Sequence, residues 1–113
     1  MKLITAYIQP QRLTAVKLAL SEKGVRKMSV INCLGCGQQG GYHESYRGAD
    51  VDINLLKKVR IDIAVTEEFV QTTIDTIVET ARTGQIGDGK VFVTALEQCI
   101  RIRTGEEGKE AIG

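Results

Sequence analysis

Residues 59–68, Val59-Arg60-Ile61-Asp62-Ile63-Ala64-Val65-Thr66-Glu67-Glu68, change from one hydrophobic period to another. The alternation of apolar and polar residues up to Val65 predicts a strand with one buried face. Thr66 predicts a helix N-cap, because the two glutamates after it would lie in the first turn, where the helix dipole favours negative charge. The helix is predicted to end at Gly84, and its apolar stripe consists of Val70, Ile74, Ile77, Val78 and Ala81.

Strand and helix also alternate elsewhere in the chain. Residues 3–8 predict a strand, and between Pro10 and Gly24 apolar residues recur at helical spacing. Further strands are predicted over residues 28–34 and 91–96. The order βαββαβ predicts an α+β fold with a ferredoxin-like antiparallel sheet and two helices on one face. The other sheet face needs a cover, which a symmetric trimer or dimer would supply.

Residues 37–54 separate the two halves of this pattern. They are rich in glycine and polar residues and show no periodicity. A connection this long within a small domain is uncommon and is usually either functional or disordered. We interpret it as a functional loop.

Composition limits the classes of function. The chain has 113 residues, a net charge of +1 and 26% charged residues, which argues against a general affinity for nucleic acid or membrane surfaces. Aromatic residues make up 4% of the chain, and the strand over residues 59–65 has none on which an RNA base could stack. The chain shows no membrane span and no signal sequence, and its three cysteines, an odd number, indicate reduced thiols. We therefore expect one cytoplasmic domain, residues 1–113, which is not embedded in a membrane and does not bind nucleic acid.

The glycine-rich segment 82–90 ends in Lys90 and leads into a strand. Its glycines permit positive φ, so several backbone amides can point toward one anion, and we predict a phosphate cradle. Gly84, Gly89 and Lys90 fit the P-loop spacing G-x-x-x-x-G-K, but Val91 lacks the hydroxyl that would hold Mg²⁺, and a strand follows where a P-loop has a helix. The remaining alternative is a helix C-cap with an ordinary turn.

Further basic residues lie near the end of the chain and at the start of the third strand. In the C-terminal basic segment 100–109, the alternation Ile100-Arg101-Ile102-Arg103 predicts two guanidinium groups on one face, roughly 7 Å apart if the segment is extended. With Lys90 they would form a polyphosphate site; the alternative is a pair of solvated arginines. Lys58 and Arg60 share a strand face and could bind a second anion.

The thiols and the single histidine offer little catalytic chemistry. Cys33 and Cys36 fit the spacing C-x-x-C, but no helix N-terminus follows to activate a thiolate. Cys36 and His43 could bind a metal, which stays open as an alternative. No nucleophile–base pair is present, so we predict a protein that is not an enzyme and shows at most slow incidental ATP hydrolysis.

Several of these motifs together resemble one family. The chain resembles the PII nitrogen-regulatory signal proteins over nearly its whole length. The resemblance rests on the loop 83–90, the pair Arg101 and Arg103, the tail 104–107 and the sequence Tyr46-Arg47-Gly48-Ala49-Asp50. The resemblance implies a homotrimer of ferredoxin-like subunits with ATP or ADP in the clefts between subunits. It also implies that 2-oxoglutarate binds with Mg-ATP, and that a T-loop, about residues 37–54, grips a target protein.

The resemblance also implies roles for individual residues. The phosphates would be held by Gly37, Gly87, Gly89, Lys90, Arg101 and Arg103. The base and ribose would be lined by Tyr7, Ser29, Gly35, Asp62 and Ala64. The nucleotide site would further include Cys36, Gln38 and Asp88. Gln39 would complete the Mg²⁺ shell, and 2-oxoglutarate would be held by Lys58 together with Gly37, Gln38, Gln39, Gly40 and Gly41.

Four loop positions depart from the usual PII pattern. Gln38 replaces a common arginine, Gly40 a lysine, Cys36 an aromatic residue, and Val51 a modifiable tyrosine. Such a T-loop resembles a divergent branch associated with metal efflux, so the target could be an ammonium channel, a metal-efflux component or a regulatory enzyme. The alternative function is a metal-binding or metal-efflux-associated regulatory trimer. The preference for ATP or ADP, the identity of the second anion and the modification of Tyr46 also stay open.

Overall fold

The computed structural model describes residues 1–35, 42–46, 49–53 and 55–113, the two segments 42–46 and 49–53 at the level of the backbone. Six strands and three helices lie in these residues. The strands are β1 (Lys2–Ile8), β2 (Ser29–Gly35), β3 (Tyr42–Tyr46), β4 (Ala49–Ile53), β5 (Leu56–Val65) and β6 (Gly89–Ala95). The helices are α1 (Leu13–Glu22), α2 (Glu67–Ala81) and α3 (Lys109–Ile112), and a 3₁₀ turn, Pro10–Arg12, precedes α1.

The main sheet has the strand order β2-β5-β1-β6, and each neighbouring pair is antiparallel. Strand β1 lies in the centre, where Ile4 pairs with Ile63 of β5 on one side and with Val93 of β6 on the other. Helices α1 and α2 pack against each other and against one face of this sheet. The prediction of an α+β, ferredoxin-like fold with two helices on one face is therefore confirmed.

The core lies between this sheet and the two helices. Alternate residues of β1 and β5 point into it, as the period of two requires, and α1 and α2 contribute one stripe each. The buried apolar residues are Ile4, Ala6, Ile8, Val16, Leu20, Val25, Val59, Ile61, Ile63, Val65, Ile77 and Ala81.

Helix α2 buries two threonines that the predicted apolar stripe omits. Thr73 is fully buried and Thr76 nearly so. Each hydroxyl donates to the carbonyl four residues earlier, Thr73 Oγ1 to Phe69 and Thr76 Oγ1 to Thr72, both at 2.7 Å. The hydroxyl hydrogen bonds are satisfied inside the helix, so the methyl groups can face the core. The helix also ends at Ala81, three residues before Gly84.

The segment 37–54 contains regular structure that the sequence did not predict. Strands β3 and β4 pair antiparallel as a separate two-stranded sheet, with Tyr46 opposite Ala49 and Tyr42 opposite Ile53. The prediction that this segment lacks regular structure is therefore wrong for residues 42–46 and 49–53. Strand β3 shows no apolar alternation, and the alternation Ala49-Asp50-Val51-Asp52-Ile53 of β4 is only five residues long and follows a glycine-rich polar segment, so it was not recognised as a strand.

Within the described ranges, no helix is both long enough and apolar enough to cross a membrane.

Candidate functional site

The glycine loop between α2 and β6 is braced by its own acid. The Asp88 carboxylate accepts hydrogen bonds from the Thr83 amide at 2.7 Å, from Thr83 Oγ1 at 2.5 Å and from the Gly84 amide at 2.9 Å. Gly84 has φ +88°, the left-handed conformation that glycine adopts without strain. The loop therefore folds around Asp88, whose carboxylate accepts hydrogen bonds from the loop's own donors.

These contacts predict how the loop responds to acid. Hydrogen bonds from the Thr83 hydroxyl and amide, with further backbone amides, hold the pKa of Asp88 below its usual range. A carboxyl whose pKa is lowered by folding contributes stability above its unfolded pKa, and loses it as pH falls through the lowered value. We expect the Thr83 and Gly84 amide NMR signals to titrate together below pH 3.8, the ordinary value. Asp88→Asn should abolish this step; an unchanged titration in that variant would contradict the assignment.

The Gly87 carbonyl connects the loop to Lys58 and Gln9. Lys58 Nζ donates to it at 2.8 Å, and Gln9 Nε2 donates at 3.3 Å. The Lys58 side chain lies at the open sheet face, opposite the helices, and the residue is only 9% exposed. Its desolvation lowers the pKa of Lys58, partly opposed by the negative charge of Asp88. The structure therefore places Lys58 and Gly87, predicted for different ligands, in direct contact.

Gly35 and Tyr7 lie near the same end of the sheet. A Cβ added at Gly35 would lie 3.0 Å from Lys58 Cγ, so the lysine stem packs over this glycine. Tyr7 pairs with Lys90 across the sheet and makes an edge contact with Phe92, with ring centroids 6.2 Å apart. Lys90 is exposed and has no ion-pair partner in the described part of the chain. A groove of about 390 Å³ beside the loop is lined by residues that include Tyr7, Asp88, Gly89 and Lys90.

Three of the residues predicted for the base and ribose meet in a second groove. Ser29, Asp62 and Ala64 line a volume of about 330 Å³, together with Lys27, Met28, Cys99 and residues of α3. Asp62 accepts a hydrogen bond from Thr5 Oγ1 at 2.7 Å and lies 3.1 Å from Arg60 Nε. The hydrogen bond that Arg60 Nε donates to Asp62 and the Asp62 charge raise the pKa of Arg60. The Asp62 carboxylate in this groove is thus already paired with Thr5 and Arg60.

The tail that carries Arg101 and Arg103 folds as a turn, so the predicted extended alternation is wrong. The Gly105 amide donates to the Arg101 carbonyl at 2.7 Å, and Ile100 pairs with Glu107. The Arg101 guanidinium lies 2.9 Å from Glu106 Oε1 and donates to the Glu110 carbonyl at 2.8 Å. Arg103 is exposed and has no hydrogen-bond or ion-pair partner among the described residues. The two guanidinium groups therefore have different environments.

The loop and the tail lie beyond opposite ends of β6. Lys90 stands at the start of this strand, opposite Tyr7, and Ala95 at its end, opposite Lys2. They are five residue steps apart along the strand, a rise of roughly 17 Å. One subunit therefore does not bring Lys90 together with Arg101 and Arg103, and their use in one site stays a prediction that requires two chains.

The remaining predicted residues are outside the described ranges. They are Cys36, Gly37, Gln38, Gln39, Gly40 and Gly41. The alternative metal site also falls there, since Cys36 is not described and only the backbone of His43 is. Among the side chains that are described, no group of three or more histidine, cysteine, aspartate or glutamate residues could hold a metal ion.

Sequence reasoning missed two contacts at these sites, Gln9 with the Gly87 carbonyl and Glu106 with Arg101. Gln9 carried no signal, because it lies 78 residues from its partner. Glu106 lies five residues from Arg101 in an acidic run, so a short-range ion pair could have been considered.

Comparison with known proteins gives a consistent family match. A family model described as nitrogen regulatory protein P-II matches residues 1–106. Nitrogen regulatory protein P-II 2 of Methanothermobacter thermautotrophicus is 49% identical over 112 residues, which cover 99% of this chain and 97% of the relative. Nitrogen regulatory protein P-II of Klebsiella oxytoca is 50% identical, and nitrogen regulatory protein P-II 1 of Escherichia coli K12 is 49% identical, each over 99% of this chain and 100% of the relative.

Proposed function

Because this chain belongs to the nitrogen regulatory protein P-II family, we propose that it is a homotrimeric regulator that binds ATP or ADP in clefts between its subunits. In this proposal 2-oxoglutarate binds together with Mg-ATP, and the T-loop grips a target protein. The relatives are named as regulatory proteins, and the proposed role is likewise regulatory rather than enzymatic.

The observation that carries the proposal is the state of charge in the glycine loop. The Asp88 carboxylate is hydrogen bonded by the Thr83 and Gly84 donors, whereas Lys90 is exposed and unpaired among the described residues. An anion that approaches the loop therefore meets a free cation, while the nearby acid is already hydrogen bonded. A phosphate group suits an exposed lysine beside a glycine-rich backbone.

The placement of the basic residues supports a site shared by two subunits. The Lys90 loop and the Arg103 tail lie at opposite ends of one sheet, so a polyphosphate that contacts both must bridge two chains. The sheet face opposite the helices also exposes apolar side chains, Ile31 at 45% and Phe92 at 51%. Cyclic association would cover this face and repeat the same cleft at each interface.

The contact between Lys58 and Gly87 supports a second ligand close to the first. Lys58 is a nearly buried cation, and a carboxylate of 2-oxoglutarate would pair with it. Gln39 is proposed to complete the shell of a Mg²⁺ ion that the γ-phosphate and the dicarboxylate share. Because ADP lacks those phosphate oxygens, only Mg-ATP should couple the two ligands.

The proposal predicts reciprocal coupling in titration calorimetry. Mg-ATP should increase the affinity for 2-oxoglutarate by at least about fivefold, and 2-oxoglutarate should increase the affinity for Mg-ATP by the same factor, as linkage requires. ADP with Mg²⁺ serves as the matched control and should give no increase. Equal 2-oxoglutarate affinity with and without Mg-ATP would contradict the coupled site, and absence of nucleotide binding would contradict the whole proposal.

A further inference from the structure

Two side chains converge on the Gly87 carbonyl, and only one of them is charged. Lys58 Nζ lies 2.8 Å and Gln9 Nε2 lies 3.3 Å from this oxygen. Gln9 is held in turn by Gln11, whose Nε2 donates to Gln9 Oε1 at 2.5 Å. Since the amide oxygen of Gln9 is occupied by this donor, its NH₂ group is left to face Gly87.

Anchoring the Gly87 carbonyl fixes the orientation of the next amide. No cis peptide bond occurs in the described chain, and in a planar trans peptide the C=O and the following N–H point in opposite directions. The Asp88 amide is therefore turned away from Gln9 and Lys58. Gly87 has φ +105°, a conformation in which glycine meets little steric resistance. The orientation of this peptide thus depends on the donors that hold its carbonyl.

We propose that Gln9 is a positioning residue of the glycine loop, which keeps the Gly87–Asp88 peptide oriented for anion binding when Lys58 engages a second ligand. The inference rests on the proposed function for the identity of the two ligands. A carboxylate attracts the Lys58 ammonium far more strongly than a neutral carbonyl does. Gln9 has no charge to be drawn away, so its hydrogen bond to the Gly87 carbonyl is retained in the doubly liganded state.

A double-mutant cycle in the free protein tests the shared anchor. Methionine matches the length of glutamine, is one atom shorter than lysine and donates no hydrogen bond, so the variants are Gln9→Met, Lys58→Met and the double variant. Deuterium exchange of the loop peptide over residues 83–88 should be about fivefold faster in Gln9→Met, as expected for one lost hydrogen bond. The two substitutions should be non-additive, because both act on one carbonyl. Gln71→Met, which removes an exposed glutamine from α2, is the matched control and should exchange at the wild-type rate.

Calorimetry with Mg-ATP then distinguishes a positioning role of Gln9 from a role in packing alone. Without 2-oxoglutarate, Gln9→Met should weaken Mg-ATP binding by about twofold, because Lys58 still holds the carbonyl; with 2-oxoglutarate the loss should reach about tenfold. Unchanged loop exchange in Gln9→Met, or strictly additive exchange effects, would overturn the inference. An equal loss of Mg-ATP affinity with and without 2-oxoglutarate would also overturn it. If the wild type bound no nucleotide, the proposed function would fail, and the exchange cycle would still decide whether Gln9 anchors the loop.

Discussion

Gly89→Ala should lower the free energy of unfolding by about 3 kcal/mol, the largest effect on stability that we expect from a single methyl group in this chain. A Cβ at this position would lie 1.7 Å from the Tyr7 carbonyl oxygen and 2.8 Å from the Tyr7 carbonyl carbon. Both atoms belong to the backbone of the central strand β1, so they cannot move aside as a flexible side chain could. The φ of Gly89, +107°, adds strain for any residue with a Cβ.

Gly84→Ala is the matched control for this prediction. Gly84 also has positive φ, +88°, but no atom lies within 4 Å of its added Cβ. The free energy of unfolding of Gly84→Ala should fall by only about 1 kcal/mol, because of backbone strain. Urea unfolding of both variants at one protein concentration gives the comparison, because the stability of the proposed trimer would depend on concentration. Equal losses in the two variants would mean that the close approach of Gly89 to Tyr7 does not limit this position.

Arg103→Ala and Lys90→Ala should each weaken ATP binding by well over tenfold, because loss of a charge-assisted contact to a desolvated phosphate typically costs ~2–5 kcal/mol. Of the two arginines in the tail, Arg103 is the better position for this substitution. Arg101 also holds Glu106 and the Glu110 carbonyl, so its removal would disturb the tail itself. Calorimetry of each variant with ATP measures the loss, and wild-type affinity in Arg103→Ala would place the phosphates elsewhere.

Mixing these two variants tests whether the site joins two subunits. In co-assembled oligomers, about a quarter of the interfaces should combine an intact Lys90 loop from one chain with an intact Arg103 tail from its neighbour. Those interfaces should bind ATP with wild-type affinity, so the mixture should recover about a quarter of the wild-type sites. If both groups belonged to one chain, no mixed assembly would contain an intact site, and recovery would be absent.

The sequence predicted the features that depend on local pattern. The alternation of residues 59–65 and the helical stripe after Thr66 both correspond to observed elements, since hydrophobic period is a property of neighbouring residues. Thr66 stands at the N-cap position of α2, but its side chain makes no capping hydrogen bond. The alternation of four residues at Ile100–Arg103 was too short to distinguish a strand from a turn, and Gly105 closes that turn. Contacts such as Gln9 with Gly87 depend on how distant segments are brought together, and no local pattern encodes them.

The buried threonines show a second limit. Thr73 and Thr76 count as polar in a hydropathy pattern, yet both can be buried because each hydroxyl donates a hydrogen bond within the helix. A hydropathy pattern counts the hydroxyl as a group that needs water or a tertiary partner, whereas the backbone carbonyl four residues earlier satisfies it.

The central position of β1 governs the order in which the sheet can be completed. This strand begins at residue 2, but its partners are β5 and β6, and Lys2 pairs with Val65 and Ala95. Both pairings close loops longer than half of the chain, so the entropy of closing them must be overcome before the sheet gains stability. During synthesis, the first of these strands to leave the ribosome is therefore among the last to be fully paired. Folding of the four-stranded sheet must wait until β6 has emerged.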